Sequence, residues 1–275
     1  MSSSPAVPDD RPGADRPGAD RRGAARAGVR RDHLVEVLLV LGVSLGSSAV
    51  YSVLRLLDLT TRRESLGAQT SHLNASVTPD RPWLDLAYQV AGIGLGVVPA
   101  LLAVFLLRHR EPPADRRIGL DRTRPLRDVV QGAGLAALIG LPGLGLYLAG
   151  RALGITTRVS AASLGDHWWS IPVLVLAAAE NAVLEEVVVV AYLVTRLRQA
   201  GWRVPAIVAA SALLRGSYHL YQGFGAGLGN VVMGVVFALV YLRLRRVAPL
   251  VAAHTILDVV AFVGYALLAG HVSWL

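Results

Sequence analysis

The chain has 275 residues, of which 53% are apolar and 17% are charged, and it contains no cysteine. Charged residues make up about a quarter of an ordinary soluble domain, so this composition excludes a conventional polar surface. The lack of cysteine excludes disulfides, Cys-ligated zinc, iron–sulfur clusters and thiol nucleophiles. The net charge of +8 comes from arginine alone, because the sequence has no lysine. In an apolar chain, an arginine excess is first a signal of membrane topology.

The N-terminal segment, residues 1–31, is of low complexity. The sequence Arg-Pro-Gly-Ala-Asp occupies residues 11–15 and is repeated at residues 16–20. Such a segment has almost no apolar surface to bury, so we expect a disordered arm.

Seven apolar runs follow, and each is long enough to be a transmembrane helix, although the sixth is at the lower limit. None of them alternates with period two, so we do not expect strands. The runs are Leu34–Leu57, Leu86–Leu107, Val129–Gly150, Ile171–Thr195, Val204–Tyr221, Leu228–Leu242 and Pro249–Ala269.

The arginines between the runs give an orientation. Alternate flanking segments, counted from the N-terminus, hold 20 arginines, and the other segments hold 5. The positive-inside rule therefore places the N-terminal arm in the cytoplasm. The predicted fold is an all-α, polytopic transmembrane bundle of about seven spans. Its first three helices lie within residues 34–150, and its chemically informative helices lie within residues 171–269.

The fourth, fifth and seventh runs contain ionisable residues at membrane depth. A charge at the centre of a transmembrane helix costs about 3 kcal/mol on the translocon scale, so these side chains have to face one another or water rather than lipid. The residues are Glu180, Glu185, Glu186, Arg215, His219, His254 and Asp258.

Helical spacing predicts which of these side chains share a face. Pairs at i,i+4 are neighbours on a helix, and the pairs are Asn181/Glu185, Arg215/His219 and His254/Asp258. Glu180 is about 140° around the helix from Glu185, so we expect it to lie outside the cluster. One carboxylate with two imidazoles can activate water, hold zinc or relay protons, and the residue types alone leave these three uses open.

Three motifs in this region resemble those of a known family. They are Glu185-Glu186-Val-Val-Val-Val190, Arg215-Gly-Ser-Tyr-His219 and His254-Thr-Ile-Leu-Asp258. They are similar to the patterns Glu-Glu-xxx-Arg, Phe-xxx-His and His-xxx-Asn/Asp of the CPBP family. That family comprises CAAX prenyl endopeptidases and the Abi proteins of bacteriocin processing and immunity. The resemblance covers residues 171 to 265.

The resemblance implies intramembrane peptide hydrolysis. Glu185 would be the base that activates water, with help from His219, and Glu186 would be the second acid. His254 and Asp258 would stabilise the oxyanion. The resemblance requires no cofactor. If a divalent metal such as zinc is bound, the implied ligands are Glu185, His219 and His254.

Two positions depart from the family pattern, since Val190 replaces an arginine and Arg215 replaces a phenylalanine. We hypothesise that Arg215 supplies from the fifth helix the positive charge that Glu186 lacks at residue 190. Asp258 also needs a role, because an ionised aspartate cannot donate a hydrogen bond. It would either be protonated or orient His254.

The departures leave alternatives to an endopeptidase. One is a catalytically inactive scaffold or immunity-type protein on the same fold, and another is a proton-coupled transporter using Glu185, His219 and Asp258. The expected partners are membrane lipid and a membrane-associated peptide, whereas nucleic acid is not expected, because no folded basic face with aromatics is evident. The Arg-for-Lys bias and the high Ala and Gly content favour a bacterial cell membrane, where prenylated substrates are not expected.

Overall fold

The computed structural model describes residues 17–110 and 118–272, and most of them are helical. The protein is an all-α membrane protein, as predicted. The helices are α1 (Pro17–Gly42), α2 (Leu45–Thr61), α3 (Pro82–Gly96), α4 (Val98–Arg110), α5 (Pro125–Ala152), α6 (Ser170–Glu185), α7 (Leu193–Gln199), α8 (Val204–Tyr218), α9 (Phe224–Leu244) and α10 (Ala248–Leu268). A seven-residue π-helical segment, Glu186–Tyr192, joins α6 to α7.

The start of α1 differs from the sequence prediction. Disorder was expected through residue 31, but the helix begins at Pro17. Alanine and arginine are strong helix formers, and a helix nucleated in the apolar run that follows extends backwards at little cost. The prediction for residues 1–16 lies outside the described residues.

Every predicted apolar run is mainly helical, although the first two runs are each divided between two helices. The number of membrane crossings is not confirmed as seven. Within the described residues, four helical stretches are long and apolar enough to cross a membrane: Pro82–His109, Pro125–Ala152, Phe224–Leu244 and Ala248–Leu268. The pair Gly28–Gly42 and Leu45–Thr61, bent by 55°, brings the number to five if it forms one span.

Two short strands were missed in the sequence analysis, which examined only the apolar runs for period-two alternation. Strand β1 (Thr70–Ala75) lies between α2 and α3, and β2 (Arg158–Ser163) lies between α5 and α6. They pair in parallel, with Thr70 opposite Arg158. Both strands lie in loops that the arginine distribution places outside the cytoplasm, so the pairing joins two loops on one predicted side of the membrane.

The π-helical segment lies at the centre of the core, and all its residues from Val187 to Tyr192 are fully buried. Around it, α10 packs on α5 and α6, while α8 packs on α2 and α9. The C-terminal ends of α6 and α8 and the first half of α10, which carry the three motifs, meet between these two groups of helices.

Candidate active site

The first motif lies where the helix changes its period. Glu185 is the last residue of α6, and Glu186 is the first residue of the π-helical segment. A π-helix hydrogen-bonds from i to i+5, so the i,i+4 relation expected between Glu186 and Val190 does not hold in this segment. Val190 is fully buried in the apolar core. This residue therefore contributes to packing at a position where the family pattern has an arginine.

Arg215 lies between the two glutamates and is completely buried. Its NH1 donates to Oε2 of Glu185 at 3.1 Å, and its NH2 donates to Oε1 of Glu186 at 2.5 Å. The guanidinium also lies 5.3 Å from the centroid of the Phe237 ring, at cation–π distance. The structure thus places the positive charge of α8 against Glu186, where the sequence hypothesis put it.

His254 of α10 is held from the opposite side. Its Nδ1 lies 2.7 Å from Oε1 of Glu186, and its Nε2 lies 3.6 Å from Oδ1 of Asp258 and 4.0 Å from Oε2 of Glu185. Since a carboxylate only accepts, Nδ1 donates to Glu186. The other ring nitrogen faces the space between Glu185 and Asp258.

His219 follows the last residue of α8 and is half-buried. Its Nε2 lies 3.8 Å from Oε1 of Glu185, the carboxylate oxygen that Arg215 does not contact. Its Nδ1 lies 3.5 Å from Nε2 of Gln222, which can only donate. In that arrangement Nδ1 accepts, and Nε2 carries the ring proton towards Glu185.

One contact to Glu185 was missed in the sequence analysis. The buried phenol of Tyr218 donates to Oε2 of Glu185 at 2.8 Å. Tyr218 follows Arg215 by three residues on α8, so the two side chains share a face. That spacing could have identified Tyr218 as a site residue. The sequence analysis considered only charged and histidine side chains at membrane depth, and tyrosine is neither.

The remaining candidates fall on two sides of the cluster. The Asn181 side chain faces the Asp258 carboxylate, so it belongs to the site. Glu180, in contrast, packs against the end of α3, where a Cβ on Gly96 would overlap its carboxylate. It lies outside the cluster of contacts, in agreement with its helical position. The structure therefore brings together Glu185, Glu186, Arg215, His219, His254, Asp258 and Asn181.

The residues that could hold a divalent metal differ from the set that the sequence analysis considered. Among the described side chains, Glu185, Glu186 and His254 form a group of three whose donor atoms all lie within 4.8 Å of one another, and His219 is not part of it. Both carboxylates of this group are already bound by the Arg215 guanidinium. A dication at the same oxygens would lie beside this buried positive charge, which is strongly repulsive in a medium of low dielectric constant.

Comparison with known proteins agrees with the motifs. Residues 167–260 match the family model described as Type II CAAX prenyl endopeptidase Rce1-like. Neither the curated proteins nor the solved structures give a match to the chain. The matched range begins just before α6 and ends within α10, so it contains all three motifs. This segment, which contains the cluster around Glu185, is therefore similar to the type II CAAX prenyl endopeptidases.

Proposed function

We propose that the chain is an intramembrane endopeptidase in which Glu185 activates water against a membrane-associated peptide. This proposal rests on the different contacts of the two carboxylate oxygens of Glu185. Oε2 accepts from Arg215 and Tyr218, whereas Oε1 faces His219 at 3.8 Å. One oxygen is thus fixed in place, and the other is available to take a proton from water.

In the proposed reaction, a water molecule accepts a hydrogen bond from the His219 ring and gives a proton to Glu185 as its oxygen attacks the peptide carbonyl carbon. His254, as an imidazolium, donates from Nδ1 to Glu186 and from Nε2 to the resulting oxyanion. Asp258, 3.6 Å from that nitrogen, orients the ring. The carbon–nitrogen bond then breaks, and the leaving amine takes the proton from Glu185.

The function is tested by comparing new protein N-termini in membranes that contain wild type, Glu185→Gln or Glu180→Gln at equal levels. Glu180 is a matched control because it lies on the same helix but outside the cluster. We expect termini that appear with wild type and Glu180→Gln and are absent with Glu185→Gln. Identical termini in all three samples, in the native host with the gene deleted as reference, would exclude proteolysis.

A catalytically inactive scaffold is the second candidate, and the geometry of Arg215 favours it. Its ion pair with Glu185 at 3.1 Å stabilises the ionised carboxylate and thereby weakens it as a base. The same comparison separates the two candidates, because a scaffold produces no termini that depend on Glu185. For either function we propose a bacterial cell membrane as the location.

A further inference from the structure

We propose that three hydroxyl side chains that precede α6 in the sequence form a latch that positions His219. These are Ser52 of α2, Ser71 of β1 and Thr157, which directly precedes β2. The proposal rests on the proposed function, since it concerns the residue that would assist Glu185. All three lie outside the matched range of residues 167–260.

The latch holds the backbone of the short 3-10 turn Leu220–Gln222 that follows His219. The Tyr221 amide donates to Oγ of Ser52 at 2.7 Å, and Oγ of Ser71 donates to the Tyr221 carbonyl at 2.9 Å. The Thr157 amide donates to the Gln222 carbonyl at 3.0 Å. The Thr157 hydroxyl lies 3.2 Å from the same carbonyl and 2.9 Å from Oγ of Ser71.

The turn needs such partners because α8 ends at Tyr218, so no regular helix continues beyond His219. The next residue after the turn, Gly223, has a φ of 102°, and a Cβ there would lie 2.7 Å from the Ile155 carbonyl oxygen. Only glycine permits this close approach of the turn to the loop that precedes β2. The loop before β2 therefore packs directly on the turn.

Residues of this 3-10 turn also contact the His219 ring. The Gln222 side chain lies against Nδ1 of His219 and donates to the Tyr221 hydroxyl at 2.8 Å. The Tyr221 ring stacks on His219 with an interplanar angle of 21°. The residues whose backbone the latch binds are thus the two that set the tautomer and orientation of His219. This gives the two-stranded sheet a role in the site, which the three motifs do not include.

Adjacent threonines allow a matched test. The hydroxyl of Thr156 is buried and forms no hydrogen bond with any described residue, whereas that of Thr157 is part of the latch. We expect Thr157→Val to lower kcat about tenfold with little change in KM, because misplacing a catalytic group weakens the chemical step rather than substrate binding. Thr156→Val should behave as wild type, and Thr157→Ser should restore kcat.

The rates are measured with a quenched peptide that spans a cleavage site found in the terminus comparison. Hydrogen exchange of the peptide that contains residues 219–223 gives a second readout, independent of activity. We expect faster exchange there in Thr157→Val than in Thr156→Val. Equal exchange in the two variants, or faster exchange with an unchanged kcat, overturns the latch. A wild type that lacks Glu185-dependent cleavage overturns the proposed function instead, and the exchange data then decide alone whether Thr157 holds the turn.

Discussion

Arg215 is the residue on which the arrangement of the site depends. It is fully buried and binds both glutamates, so its desolvation is offset only as long as those carboxylates remain ionised and in place. Glu186 has no solvent exposure, and its partners are Arg215 and His254. The Arg215 side chain therefore links α8 to the π-helical segment and, through the contact of Glu186 with His254, to α10.

A double-mutant cycle tests this link. Arg215→Leu should lower the free energy of unfolding by about 3–5 kcal/mol, because it leaves the buried carboxylates of Glu185 and Glu186 without their shared cation. In a Glu186→Gln background the loss should be smaller, since only Glu185 is then left unpaired. Unfolding is measured by denaturing-detergent titration of the purified protein. An equal loss in both backgrounds would show that Arg215 and Glu186 are not energetically paired.

Arg215 also predicts independence from metal. Since its guanidinium already binds both carboxylates that a metal would need, dialysis against a chelator should leave the peptide cleavage rate unchanged. The control is the same dialysis with zinc added back, which should also have no effect. A loss of activity that zinc restores would show that a metal ion, and not Arg215 alone, supplies the positive charge at these carboxylates.

Tyr218 should contribute to activity by holding Glu185. Tyr218→Phe removes one donor to Oε2 of Glu185, and a hydrogen bond to a charged group contributes about 1.5–3 kcal/mol. We expect kcat to fall by about tenfold to a hundredfold in the quenched-peptide assay. Tyr265→Phe on α10 is the matched control, because no described residue hydrogen-bonds its hydroxyl. An unchanged kcat in Tyr218→Phe would exclude this role.

At the scale of the helices and strands, the length and hydropathy of the apolar runs predicted the helices but not their interruptions. The runs around Glu185 and His254 are helical because length and hydropathy determine this. The π-helical period from Glu186 was not predictable, since four consecutive valines fit several helical geometries and only the surrounding packing selects one. The latch could not be predicted from the sequence either, because Ser71 and Thr157 lie 86 positions apart and only the pairing of β1 with β2 brings them together.

An ionic clamp fixes the turn between α9 and α10 to the start of α5. Arg246 donates from NH2 to Oδ2 of Asp128 at 2.6 Å and to Oδ1 of Asp121 at 3.1 Å. Hydrogen bonds from Arg246 and Thr123 hold the pKa of Asp121 well below its ordinary value of 3.8. The folded state therefore favours the ionised carboxylate.

This pKa shift predicts how stability depends on pH. The folded pKa of Asp121 is lowered, so its contribution is complete above pH 3.8 and is lost as the pH falls towards the folded value. Wild type should have a higher Tm than Asp121→Asn at pH 6, and the difference should shrink as the pH falls below 4. The comparison with Asp80→Asn, in an exposed loop, serves as control. A difference in Tm that is independent of pH would refute the clamp.

At the scale of the whole molecule, the site lies between two groups of helices that the sequence did not distinguish. Hydropathy orders the spans along the chain but does not say which of them pack together. The contact between α8 and α2 brings Ser52 to the turn after His219, although 169 residues separate Ser52 from Tyr221. The motifs therefore predicted which side chains meet. The contacts by which α2 and the sheet hold the turn after His219 could not be predicted from the sequence.

The arginine distribution predicts an orientation in the membrane. Single cysteine substitutions can test it without background labelling, because the chain contains no cysteine of its own. His72 on β1 and Trp202 between α7 and α8 are both exposed, and the positive-inside rule places them on opposite sides. His72→Cys should react with a membrane-impermeant maleimide on intact cells. Trp202→Cys should react only after permeabilisation. The reverse pattern would invert the predicted topology. Labelling of both cysteines in intact cells would place the sheet and the α7–α8 turn on the same side of the membrane. That outcome would require a different number of membrane crossings between β2 and α8.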